Sequence, residues 1–104
     1  MSWRHEHGSE YAVPEEVLSL VEEGRIFDWS YHNDTCPKFC TIDPSAPIGE
    51  ESGRALWVEH PDPERREDEM RYCVQNTDVG GFCTSLILST DDLSEALSAL
   101  FPKG

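Results

Sequence analysis

Between Arg25 and Ser89 lie five strand-like stretches, two of them alternating in polarity with a period of two, and none of the links joining them has a helical pattern. A parallel neighbour needs a crossover of about a dozen residues or more, usually helical, so strands joined by these links must each turn back beside the one before. The first stretch, Arg25 to Tyr31, puts Phe27, Trp29 and Tyr31 on one side and Ile26, Asp28 and Ser30 on the other. Turn-forming Asn33, Asp34 and Pro37 lead into a short return strand, Lys38 to Ile42. Prolines and glycines then break Asp43 to Gly53 into a loop before a third strand, Arg54 to His60. A charged, proline-bearing excursion, Pro61 to Glu69, precedes the fourth strand, Met70 to Thr77, in which Met70, Tyr72 and Val74 alternate with Arg71, Cys73 and Gln75. Gly80 and Gly81 mark a tight turn with its centre between them, and Phe82 to Ser89 is apolar enough to predict a central strand covered on both faces.

Helical patterns flank this region. Pro14 opens the first, acidic residues follow in its first turn, and Gly24 stops it, with Val17, Leu20 and Val21 forming an inward stripe. Thr90 is placed to cap the second, Asp91 to Phe101, whose stripe is Leu93, Ala96, Leu97 and Leu100. The expected fold is therefore α+β: an antiparallel sheet of about five strands, with an N-terminal and a C-terminal helix packed on one face, in the order α-β-β-β-β-β-α. Residues 1–12 read as an N-terminal tail and 13–104 as a single domain. The second sheet face is left to water, to a groove or to a second copy of the chain.

Charge narrows the partners. Asp and Glu number 21 against 8 Lys and Arg, a formal net charge of −13. Such a surface repels phosphate backbones and anionic head groups, so neither nucleic acid nor membrane is an expected partner. A basic protein is the expected one, although a surface with only two lysines is also what adaptation to salt produces. No apolar run approaches the roughly 18 residues of a span, and the first residues carry no hydrophobic signal stretch, so the expected compartment is the cytoplasm. There Cys36, Cys40, Cys73 and Cys83 would be reduced thiols. A Cys73–Cys83 disulfide would need a hairpin centred on Asp78, which the glycine pair does not favour.

Two constellations are candidate binding sites. In a meander the first and third strand connections lie at one end of the sheet, which gathers His32, Asp34 and Cys36 with His60 and Asp62. Loop centres two strand spacings apart are roughly 10 Å from each other, too far for shared ligation of a metal. Cys36 and Cys40 also lack the spacing of a zinc knuckle, so neither metal nor cofactor is expected. The other constellation is an aromatic face of Phe27, Trp29, Tyr31, Trp57 and Tyr72. No catalytic residue is assigned, because the only cysteine with a nearby histidine, Cys36, lies among carboxylates that suppress a thiolate. The expected role is a small acidic protein-interaction module of inhibitor, immunity or adaptor type, with homodimerisation through an exposed sheet face or edge as a further expectation. The alternative is a small-ligand or metal-binding domain using the aromatic face or the His-x-Asp edge.

Overall fold

The structure, a computed structural model, describes residues 12–30, 36–42, 53–62, 64, 70–78 and 82–101. Helix α1 spans Glu15–Glu22, strands β1 Phe27–Asp28, β2 Lys38–Cys40, β3 Arg54–Val58, β4 Tyr72–Thr77 and β5 Cys83–Thr90, and helix α2 Leu93–Leu100. The strands form one sheet in the order β1-β2-β3-β4-β5, every pair antiparallel. The fold is α+β, with one helix before the sheet and one after it.

Local chemistry accounts for both helices. Glu15 and Glu16 occupy the positive end of α1. Its other end closes with two backbone bonds, Gly24 N–H to Val21 O at 3.0 Å and Arg25 N–H to Leu20 O at 2.9 Å. That closure needs a left-handed residue, which Gly24 supplies at φ 76°. At the start of α2 the cap is Asp92, whose side chain accepts from Ser94 N–H at 2.9 Å. Thr90, the cap expected from the sequence, sits two residues earlier: its hydroxyl accepts from Asp92 N–H and donates to Glu95 Oε1 at 2.6 Å. Arg54 Nη1 donates to Ala99 O at 2.6 Å, which places a cation at the negative end of α2.

Pairing assigns the faces. Phe39, Leu56, Val74 and Leu88 stand in one cross-strand row and Val58, Tyr72 and Thr90 in the next. Phe39, Leu56, Val58, Tyr72 and Val74 form one buried cluster with Val13, Val17 and Ile26 and with Ala96 and Leu100 of α2. Each large apolar side chain fully removed from water there contributes about 1.5–3 kcal/mol. The opposite face carries Lys38, Trp57, Cys73 and Ser89 in one row and Phe27, Cys40, Ala55, Gln75 and Leu86 in the other. Its middle is not open to water, since Cys40 and Ala55 are 0% exposed. Where β3 begins, a Cβ on Gly53 would fall 2.5 Å from Thr41 Oγ1 and 2.8 Å from Ile42 Cγ1, so no larger residue fits between the neighbouring strands.

Two expectations need correction. The stretch Phe82 to Ser89 is not a central strand covered on both faces: β5 lies at the edge of the sheet, with Phe82 73% and Leu86 61% exposed. The exposure of Leu86 shows that its apolar run is not covered on both faces, and as the fifth strand of a sequential meander it has a neighbour on one side only. The β4–β5 turn is also centred half a residue earlier than the glycine pair suggests. Asp78 N–H bonds Phe82 O at 2.9 Å and Cys83 stands opposite Thr77, not Asp78, which makes the connection three residues long. Cys73 faces Ser89, so Cys73 and Cys83 are not opposed, and all four cysteines are free thiols.

Candidate functional site

The meander brings the arms of the first and third connections together, as their chain direction requires. Lys38 pairs with Trp57, and beyond that pair Val58 N–H donates to Pro37 O at 3.0 Å. Cys36 therefore leaves the sheet beside the segment Glu59–His60, closer than the spacing between loop centres suggests. All three are buried, at 1%, 4% and 7% exposure. His60 Nδ1 accepts from Asp62 N–H at 3.0 Å, and Asp62 Oδ1 accepts from Glu64 N–H at 3.0 Å. These bonds shape the turn after β3, and they fix the His60 ring with Nδ1 toward the backbone. Asp62 is exposed. His32 and Asp34 lie outside the described residues, as does Tyr31.

Arg71 ties this end of the molecule together. Its Nε donates to Glu59 O at 2.6 Å and its Nη2 to Ala12 O at 3.1 Å, while its backbone N–H bonds Asp91 Oδ1 at 2.8 Å. One residue thus joins the entry to α1 and the β3–β4 connection through its side chain, and the approach to α2 through its backbone. The arginine fork suits such multiple carbonyl contacts, which a lysine would not reproduce.

The aromatic constellation is divided by register. Phe27, Trp29 and Trp57 lie on the face away from the helices, while Tyr72 belongs to the core beneath them. Trp57 faces Cys73 across the β3–β4 pair, so the neighbouring Tyr72 must point the other way. Lys38, which sequence analysis passed over, is central to this face. Its Nζ lies 5.5 Å from the Trp29 ring centre and 5.3 Å from that of Trp57, and the residue is 7% exposed. A desolvated ammonium against an indole gains about 2 kcal/mol. Both indoles are anchored as well, Trp29 Nε1 donating to Ile42 O at 2.6 Å and Trp57 Nε1 to Gln75 Oε1 at 2.7 Å. The aromatic face is thereby a framework that holds β1 to β4 in register. The signal for Lys38 was present in the pattern, because it shares the parity of Cys40 and sits in a strand flanked by two tryptophan-bearing strands.

Two residues along β2 from Lys38, on the same face, lies Cys40. Burial pushes its thiol up, opposed by the Ile42 backbone, by the Lys38 charge and by the Thr77 hydroxyl, with Cys83 adding to the rise. A thiol held protonated is a weak nucleophile and a weak ligand. Among the described residues no three His, Cys, Asp or Glu side chains converge on a point that could hold a metal ion.

The outer surface of the helix layer is the remaining feature of note. Glu15, Glu16, Glu22 and Glu23 are exposed along α1, and Asp91, Asp92 and Glu95 are exposed at the start of α2. Neither 12–24 nor 90–101 contains a lysine or arginine. No helix among the described residues is long and apolar enough to cross a membrane. No protein-family model, curated protein or solved structure matches this chain.

Proposed function

We propose that this chain is a protein-interaction module whose acidic helix layer receives a basic protein partner, in the manner of an inhibitor, an immunity protein or an adaptor. The observation that carries it is the charge balance of that layer: among the described residues, seven exposed carboxylates on and beside the two helices, against one exposed cation, Arg25, whose guanidinium lies over the Phe101 ring at 5.0 Å. Carboxylates of one sign sum their fields, which speeds the encounter with a basic protein and discourages acidic competitors. Arg54 and Arg71 lie nearby, yet both commit guanidinium nitrogens to backbone carbonyls. The free thiols fit a reducing compartment, the cytoplasm, for such a partnership.

The test starts with a partner captured from the native host and then purified. Its affinity for the chain is measured from about 0.1 M to about 1 M salt, over which the Debye length falls from about 10 Å to about 3 Å. Binding is expected to weaken at least about tenfold, chiefly through slower association, and to weaken further when Glu15, Glu16, Glu22 and Glu23 are replaced by glutamine. Affinity that is indifferent to both changes would remove the acidic layer from the mechanism.

A further inference from the structure

We propose that the outer edge of β5 is a self-association seam, on which β5 of a second copy of this chain pairs antiparallel. Among the described residues nothing pairs with that edge: β5 is hydrogen-bonded to β4 on one side and ends the sheet on the other. It is the longest strand, eight residues, whereas β1 at the opposite edge has two. Edges of this length are ordinarily guarded by lysines, prolines or inward-pointing charges. From Phe82 to Thr90 there is no charged residue and no proline, in a chain that is 28% charged. Leu86 is 61% exposed in the strand and Phe82 73% exposed just before it.

Two features select a second copy over other occupants. The first is charge. A basic protein is drawn to the carboxylates of the helix layer, not to a neutral strand, whereas two chains of net charge −13 repel everywhere except along a surface without charge. An uncharged strand meeting its own copy is the least repulsive contact two such molecules can make. The second is the order of residues. Thr84-Ser85-Leu86-Ile87-Leu88-Ser89-Thr90 reads identically in both directions about Ile87. A two-fold axis at Ile87 sets Thr84 against Thr90, Ser85 against Ser89 and Leu86 against Leu88 of the copy, so size and polarity match at every pair.

The edge has one guard. Val74 pairs with Leu88 and Gln75 with Leu86, which leaves Ile87 as an extra residue with no opposite number on β4; a second shift leaves out Thr84. Such bulges add twist and turn successive side chains out of strict alternation, so pairing about Ile87 must straighten the strand there. The seam is therefore weak and concentration-dependent, not an obligate interface. The buried middle of the sheet's far face directs the contact to this edge.

The full-length chain is examined by sedimentation equilibrium over a wide concentration range, at about 0.1 M and about 1 M sodium chloride. The mass is expected to rise from 11.8 kDa toward twice that value with concentration, and more readily at high salt, where repulsion between the copies is screened. Leu86→Lys, which puts a charge on the seam, is expected to return the chain to a monomer with an unchanged melting temperature. Ser85→Lys, at an exposed site on the same strand, gives an independent variant if Leu86→Lys unfolds. A monomer at every concentration and salt, or a dimer that folded lysine variants leave intact, overturns the proposal. Salt separates this test from that of the proposed function, since binding of a basic partner weakens as salt rises and self-association strengthens.

Discussion

Cys40 shows how the interior of this sheet handles a polar atom. Its sulfur is taken fully out of water, and the Ile42 backbone, the Lys38 charge and the Thr77 hydroxyl only partly offset the cost of ionising it there. The folded state therefore holds the proton more tightly than the unfolded chain. A group whose folded pKa is raised contributes stability that is complete below the ordinary thiol value of 9.0 and is lost as pH rises through the folded value. Urea unfolding of the native chain and of Cys40→Ala between about pH 7 and about pH 10.5 isolates this contribution. The gap between the two unfolding free energies is expected to stay constant at neutral pH and to narrow progressively above about pH 9. A gap that keeps one value across the whole range would mean that the thiol ionises alike in both states. Lys38 illustrates the complementary solution on the same face, a buried cation accepted between two indole rings that are themselves tied to the backbone and to Gln75.

Helix α1 sets its charges both with and against its own dipole. Glu15 and Glu16 stand at the positive end, where a carboxylate is favourable; Glu22 and Glu23 stand at the negative end, where the last turn holds no basic residue and Arg25 follows just beyond it. Neutralising each pair should move stability in opposite directions, by roughly 0.3–1 kcal/mol per residue at low ionic strength. Glu22→Gln with Glu23→Gln should raise the urea midpoint, and Glu15→Gln with Glu16→Gln should lower it. Equal shifts from both pairs would show that overall charge, not the helix dipole, governs this element.

Local signals fixed such elements well and their relative placement less well. Pro14 and Gly24 bound α1 from the sequence, alternating polarity located β1 and β4, and turn-bounded apolar or β-branched runs located β2, β3 and β5, because all of these signals depend on near neighbours. Position within the sheet depends on the order of all five strands, and a meander that places each strand beside its predecessor is incompatible with a central fifth strand, however apolar Phe82 to Ser89 is. Register was beyond reach for the same kind of reason. The charged connection between β3 and β4 has no turn chemistry that counts residues, and a slip of one there decides whether Tyr72 joins Trp57 or the core. That the first and third connections leave the sheet at one end followed from topology, whereas the choice of Asp92 over Thr90 as a cap required coordinates.

At the scale of the whole molecule the acidity has a cost. A body with extents of 39 × 29 × 24 Å carries a net charge of −13, so every carboxylate has others within a few nanometres. At about 0.01 M ionic strength the Debye length, about 30 Å, is comparable to the molecule, and all of these charges repel one another; at about 0.15 M it is about 8 Å and only near neighbours do. Self-repulsion of this kind opposes the compact state, and unfolding relieves it by moving the charges apart. The melting temperature should therefore rise when sodium chloride is raised across this interval, at protein concentrations low enough to keep the chain monomeric, and should level off once the screening length falls below the spacing of the carboxylates. The same four glutamine replacements on α1 that weaken binding should raise stability at low salt and flatten its dependence on salt. A chain whose melting temperature is unmoved by sodium chloride would carry its acidity without strain. The helix layer would then need no partner, nor a salty habitat, to offset its repulsion. A chain that gains stability as its charges are screened has instead a surface that works against its own fold, a cost that either a basic partner or a salty habitat offsets.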